Sequence, residues 1–505
     1  MENKKHAKTV TEDVAEIQVD NTEESVDEGS LCIVDDIMGY TPYRSDDGSY
    51  GVAKEGMMML LQELYSSEDH DDLKIDGRII DRLVEEIDNR LSAQLDEILH
   101  HPDFKKAEST WNGLKFLVNK VDFDENVRIE LFNASKHDLA DDFDDSGGAL
   151  QSLLYKKVYT EEYGQFGGEP YGLIMGAYEF THQAHDVKLL ENLSKISAVS
   201  NAPFISSASS EFFSVKDYED LSEIKDVKSL FDAPQYATWN GFRDSDDSRN
   251  VGLAMPKFML RTPYGESNPV RSVNYIEKIT SKDDYSWGYA SYALTSCIAN
   301  SFAQYRWCPN IIGPNSGGSV HSIPLHVIGE GRTAKTVGPT EVAISDRREY
   351  ELSEAGFIPF VVRKGSDQAT FFSAHSAQRN RTFGNTPEGK QAALDFSLGA
   401  QLPFWFIITR ISHYLKVLQR ESLGSWKNRE DVEVELNKWL SQYMADQDNP
   451  SPSIRSQRPL RNAHVSVKDI PGEAGWYQVH LQVQPHFKFM GANFTLSLTG
   501  MVEKA

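Results

Sequence analysis

Two stretches within residues 475–503 alternate apolar and polar side chains without a break. In the first, Tyr477, Val479, Leu481 and Val483 share one parity, and Gln478, His480, Gln482 and Gln484 share the other. In the second, Phe494, Leu496 and Leu498 alternate with Thr495, Ser497 and Thr499. A period of two belongs to strands, because successive side chains leave opposite faces of a pleated backbone. Gly491, Ala492 and Asn493 separate the runs and can turn the chain. The pattern predicts a β-hairpin with little sequence after it to cover its edges. A lone hairpin is marginal in water, and an open strand edge is a template for another chain. The hairpin therefore either completes this chain's own sheet or links one subunit to the next.

The 505 residues are too many for one core, so two or three domains are expected. A composition of 40% apolar and 25% charged residues is that of a soluble protein. No apolar run reaches the roughly 18 residues of a membrane span, and the first residues carry no apolar core of a secretory signal. Membrane insertion is not expected. The three cysteines, Cys32, Cys297 and Cys308, make no disulfide framework and suit a reducing cytoplasm. A net charge of -25 argues against nucleic acid as a partner, since that requires a basic footprint.

In chain order, residues 1–50 read as a flexible acidic arm. Leu31, Cys32, Ile33 and Val34 form a short apolar run within it, a candidate strand or docking peptide. Residues 51–125 read as helical. The clearest helix covers 77–99, where Ile80, Leu83, Val84, Ile87, Leu91, Leu95 and Ile98 recur every three or four residues. Over 108–121, Trp111, Leu114, Leu117 and Val118 line one face. From Val127 the period changes, with Val127, Ile129 and Leu131 alternating. Strand candidates at 171–178, 202–206 and 251–260 are separated by helical stretches, as in an α/β core spanning 126–445. Helices are expected at 185–199, 286–305, 399–423 and 431–444. Residues 446–505 read as a polar linker, 446–458, followed by the hairpin.

The search for chemistry leaves nothing standing. Residues 329–336 contain glycines and Lys335-Thr336, but Ala334 stands where a phosphate loop needs glycine. Cys297, Cys308, His321 and His326 are zinc-type donors at the wrong spacing. His182 and His185 lack a glutamate placed between them for a metalloprotease motif. Ser316 is not in a Gly-x-Ser-x-Gly elbow, and Gly317 and Gly318 read as turn residues. No catalytic residue, cofactor-binding residue or metal ligand is assigned, and an assembly protein is favoured over an enzyme.

Several segments resemble the large subunit of the type VI secretion contractile sheath, the TssC/VipB family. Glu108-Ser-Thr-Trp111-Asn-Gly-Leu114 is similar to its E-x-T-W-x-G-L segment. So are residues 167–172 with 177–180, 239–265, 339–348, 351–359, 458–460, 471–477 and 485–487, with Ala177 where the family usually has Asp. The resemblance runs from about residue 75 to the end. It implies a multi-domain α/β (α+β) contractile tail-sheath-like fold, with a mixed sheet core and a C-terminal β-hairpin that pairs with neighbouring subunits. The pairing residues would be Tyr477, Val479, Leu481, Val483, Phe494, Leu496 and Leu498, with an arm strand at Leu31, Ile33 and Val34. It implies a structural protein without cofactor or metal. Its partners would be a small sheath subunit (as an obligate heterodimer), further copies in six-fold helical rings, the inner tube protein, a baseplate and a AAA+ disassembly ATPase. A sheath subunit of a phage-tail-like injection particle is the alternative.

Overall fold

The computed structural model describes residues 34–35, 37–39, 44, 48–66, 77–165, 167–271, 273–328, 335–421, 428–445, 447, 450–469, 476–486 and 496–503. The chain divides into two units, Met1–Glu85 and Glu86–Ala505.

In the first unit, residues 34–35 and 37–39 are helical. Val34, expected in an arm strand, is in this helical stretch. Val34 and Met38 are four residues apart, the helical repeat, and each is 1% exposed. Leu31, Cys32 and Ile33 lie outside the described residues. Helix α1 (Gly48–Ser66) follows, and Lys54 on it pairs with Asp35 at 2.6 Å.

Helix α2 (Gly77–Leu99) has the bounds its periodicity predicts. Four positions of its apolar stripe are nevertheless exposed among the described residues: Val84, Ile87, Leu91 and Ile98. Helix α3 (Pro102–Lys120) starts at Pro102, whose missing N–H costs nothing at a helix start. Its buried face carries Ser109, Gly113 and Leu117. Phe104, Trp111 and Val118, seven residues apart, face out. The helix is held from beneath. Glu108 accepts from Arg261 Nε at 2.5 Å, and Arg261 also donates to the buried Glu277 at 2.7 Å. A Cβ on Gly113 would stand 2.4 Å from the Tyr292 ring, whose hydroxyl donates to the Thr110 carbonyl at 3.0 Å. The Glu-Ser-Thr-Trp-Asn-Gly-Leu segment is thus a docking strip that leaves its tryptophan outside.

Residues 127–131 alternate as expected, with Val127 and Ile129 packed on the core and Leu131 exposed, but they join no ladder. Helix α4 (Lys136–Asp145) follows, capped by Ser135. The central sheet is built from β1 (Ile174–Phe180), helix α5 (Ala184–Ser200) and β2 (Phe204–Ala208), then helix α6 (Ala237–Arg243) and β3 (Val251–Met255). Pro256 has no N–H to donate, so the run expected to reach residue 260 breaks into β3 and a short β4 (Phe258–Met259), which pairs with β5 (Trp287–Gly288). Helix α7 (Ala290–Tyr305), β6 (Ser319–Val320), the pair β7 (His326–Ile328) and β8 (Lys335–Val337), helix α8 (Asp346–Glu354), β9 (Phe357–Val362) and β10 (Ala369–Phe371) complete this part.

Sheet order is β1-β2-β3-β9-β10-β6. The first four strands are parallel, and β10 is antiparallel to both β9 and β6. Successive residues feed opposite faces. Phe204, Leu253 and Phe357 join the core over α5, while Ile205, Ala254 and Ile358 join the core over α7. A sheet covered on both faces needs apolar runs rather than alternation, which is how these strands read. The α/β class with a mixed sheet is as expected. Around Phe357 the rings of Phe212, Phe213, Phe231 and Trp239 lie at centroid distances of 5.1, 4.8, 5.7 and 6.0 Å. Phe357→Ala is expected to cost about 3–5 kcal/mol through the cavity it leaves, read as a lower denaturation midpoint at unchanged slope.

Candidate assembly interface

After β10 come helices α9 (Pro387–Gly399), α10 (Leu402–Glu421), α11 (Arg429–Ser441) and α12 (Pro452–Gln457). The single helix expected over 399–423 is thus preceded by another, and the expected linker contains a short helix. Ser456 of that helix accepts from Asn310 Nδ2 at 2.7 Å, so this segment is docked on the body.

The terminal sheet has three strands: β11 (Leu460–Asp469), β12 (Trp476–Pro485) and β13 (Leu496–Glu503), in that order. Both pairings are antiparallel, with Val465 opposite Leu481 and Leu481 opposite Leu498. The hairpin read from sequence is β12–β13; the turn and Phe494 lie outside the described residues, and Leu496 and Leu498 are placed on β13. Strand β11 was not foreseen, although Ala463, Val465 and Val467 alternate with His464, Ser466 and Lys468. That alternation was the available signal.

Tyr477, Val479, Leu481 and Val483 are buried with Val465 and Val467 against Trp307, Ile407, Ile411, Leu436 and Leu440. These side chains fill the subunit's own core. The four β12 side chains are therefore not free to meet a neighbour. Among the described residues no strand lies beyond β13.

Helix α10 joins this sheet to the body. Leu402 and Phe406 belong to the core over α7, and Ile407 and Ile411 to the core under the terminal sheet. Trp405 Nε1 donates to Asn250 at 2.7 Å. Further on, His413 Nε2–H donates to the Ser200 carbonyl at 2.9 Å, and Lys416 reaches the Val199 carbonyl at 3.4 Å. The Lys416 ammonium also sits 4.7 Å from the Tyr163 ring centroid. Burial lowers its pKa to about 8. Arg420 donates to the Gln165 carbonyl at 2.7 Å.

The sequence's chemical candidates lie elsewhere. Burial pushes the Cys297 and Cys308 thiols up to about 12, far from a reactive thiolate. His326 Nδ1 shares a hydrogen bond with the Tyr285 hydroxyl at 2.8 Å. His182 Nδ1 lies 3.0 Å from the Glu211 carbonyl, and the exposed His185 lies 3.4 Å from Asp186. Among the described residues no three His, Cys, Asp or Glu side chains gather to hold a metal. Residues 329–334 lie outside the described set, and Lys335 and Thr336 open β8. Ser316 lies in the turn before β6, where Gly317 has φ +85 and a Cβ would meet the Asn310 carbonyl at 2.3 Å. No described helix is long and apolar enough to cross a membrane.

Two family models cover most of the chain: "EvpB/VC_A0108, tail sheath N-terminal domain" over residues 81–378, and "EvpB/VC_A0108, tail sheath gpW/gp25-like domain" over residues 391–502. The type VI secretion system sheath protein TssC1 of Pseudomonas aeruginosa is 37% identical over 433 residues, covering 84% of this chain and 86% of that protein. The cryo-EM structure of the anti-feeding prophage baseplate gives a TM-score of 0.30 at 9% identity, over 76% of this chain and 80% of that chain. That likeness is too slight to carry an argument. The first two findings suffice: this is a tail-sheath protein. The chain belongs to the type VI secretion sheath family of TssC and VipB.

His413 makes the α10 anchor sensitive to acid. Burial, with lesser contributions from Arg410 and Lys416, lowers its pKa from 6.5 to about 4 against the opposing Ser200 bond. Its Nδ1 is buried with no partner, so an added proton has no acceptor. The unfolded chain takes that proton at a higher pH than the folded one does. The stability involved is complete above about 6.5 and is lost as pH falls through about 4, on the order of 3 kcal/mol in all. His413→Gln, which keeps a donor but does not titrate, is expected to flatten the stability–pH curve over that window in denaturant titrations.

Proposed function

We propose that this chain is the large structural subunit of a type VI secretion contractile sheath and acts without catalysis. It pairs with a small sheath subunit, and the heterodimers polymerise in six-fold helical rings around an inner tube. Contraction drives the tube, its spike and effectors out of the bacterium. The sheath stands in the cytoplasm on a baseplate at the membrane-bound secretion complex, and a AAA+ ATPase takes the contracted form apart. The working division is an arm at 1–50, a helical segment at 51–125, a core at 126–445 and a linking unit at 446–505.

One observation carries this reading: both sheath-domain models match, in order, along one chain. The uncovered apolar positions on α2 and α3 support it. Ile87, Leu91, Ile98, Phe104, Trp111 and Val118 are a poor surface for a monomer and a suitable one for a partner. Strand pairing between subunits, by main chain at an edge of the terminal sheet and not by the buried side chains of β12, would hold the lattice together.

The test is electron microscopy of the chain purified alone and co-expressed with the small subunit from its own operon. Long hollow tubes only on co-expression are expected; discrete particles in both preparations would refute the two-component sheath. Deleting residues 491–505, which removes β13, is expected to leave a folded heterodimer that forms no tubes. Sheaths of normal length from that deletion would refute strand linkage.

A further inference from the structure

A three-stranded sheet has two edges, and this one finishes them differently. On β11 part of the outward-facing main chain, at Val465 and Val467, is already bonded. Asn437 of α11 accepts from the Val465 N–H with Oδ1 at 2.9 Å and donates to the Val465 carbonyl with Nδ2 at 2.7 Å. Its carboxamide makes both bonds that a neighbouring strand would make. One helical turn earlier, Glu433 Oε2 accepts from the Val467 N–H at 3.0 Å. The spacings match: four helical residues rise about 6 Å and two strand residues about 6.7 Å, so side chains one turn apart meet alternate strand residues. The Asn437 carboxamide is itself steadied, its Nδ2 donating to the Glu433 carbonyl at 2.8 Å. Where β11 begins, Leu460 donates to the Tyr443 carbonyl at 3.3 Å and accepts from the Ala445 N–H at 2.9 Å.

Two further devices that guard strand edges are on β11. It is irregular in register between Leu460 and Asn462, and it carries Lys468. Strand β13, LSLTGMVE, contains no lysine, arginine or proline, and its pairing with β12 runs without a register shift. Native edges are usually protected by bulges, lysine or proline.

We infer that the terminal sheet accepts a partner strand on one side only, the outer edge of β13, because α11 seals β11 with Asn437 and Glu433. This rests on the reading that the sheet links subunits. The occupant is an extended segment of another sheath subunit, held by main-chain hydrogen bonds. The seal gives the link a direction: each sheet receives one strand at a defined edge and cannot pair back-to-back with a second sheet through β11.

Hydrogen exchange with mass spectrometry tests this on the full chain with its partner. On assembly of the wild type, amides of β13 are expected to slow, while those of Val465 and Val467, already protected, stay unchanged. Further slowing at Val465 and Val467 on assembly would overturn the proposal. In unassembled Glu433→Ala/Asn437→Ala protein, exchange at those two amides should rise about tenfold, the loss of roughly one hydrogen bond each. Light scattering should then show self-association that wild type and Glu433→Gln, which keeps an acceptor, do not show. Unchanged protection in the double variant, or an unprotected β11 without self-association, would overturn the seal. If circular dichroism shows the double variant unfolded, Glu433→Ala alone, which frees only the Val467 N–H, gives the same reading at one amide. Failure of the linkage itself would look different: β13 exchange would not change on assembly, and tubes would survive loss of residues 491–505.

Discussion

Helix α10 is the element on which the layout depends, because it belongs to two cores at once. Leu402 and Phe406 are set in the body, and Ile407 and Ile411 are set beneath the terminal sheet. A helix of 20 residues is stiff over its length of about 30 Å, and its contacts recur along that length. Trp405 bonds Asn250, His413 and Lys416 meet the carbonyls that end α5, and Arg420 reaches Gln165. These carbonyls are left over at a helix C-terminus, where no intrahelical donor remains. Cationic and N–H-bearing side chains from α10 satisfy them. The sheet is carried on a rod bonded to the body at several points.

The sheath-type segments have physical tasks of the same kind. Glu108, Thr110 and Gly113 seat α3 through Arg261 and Tyr292, and Trp111 is left exposed by that seating. Leu352 and Phe357, from residues 351–359, are fully buried where α8 turns into β9. These segments fix how elements dock rather than forming a reaction centre. Tightly packed cores switch between discrete arrangements and do not deform smoothly. On the proposed function, a core packed this way suits a body that moves while its links to neighbours hold.

How legible the architecture was depended on whether a pattern was local. The α2 periodicity, the α5 and α7 helices and the β12 alternation could be read because each is set by its own residues. The apolar runs at β1, β2 and β3 can be read too, although Pro256 breaks the last of them before residue 260. Strand β9 appeared only as a familiar segment, because FIPFVV has no alternation and no helical stripe. Burial on both faces removes the pattern that would have marked it. Strand β11 was passed over within a polar stretch despite its alternating valines. The α11 contacts to it could not be read at all, since 28 residues separate Asn437 from Val465. The stripe on α2 is the reverse case: its sequence asks for a cover, yet Val84, Ile87, Leu91 and Ile98 are exposed among the described residues.

That contrast separates two kinds of apolar surface in the chain. Tyr477, Val479, Leu481 and Val483 look from sequence like residues aimed at a neighbour, yet they are spent inside the subunit. Ile87, Leu91 and Trp111 look from sequence like ordinary positions of an apolar helix face, yet they are exposed. On the proposed reading the two surfaces do different work. Apolar helix faces join unlike subunits by burial, which is strong and tolerant of angle because it is non-directional. Strand edges join successive subunits by hydrogen bonds, which fix register and direction while adding little net stability each. A lattice that must rearrange without coming apart needs its directional links where the chain is free to follow. The sheet meets that need by keeping the apolar side chains of β11 and β12 in its own core and leaving main chain for the edge away from α11.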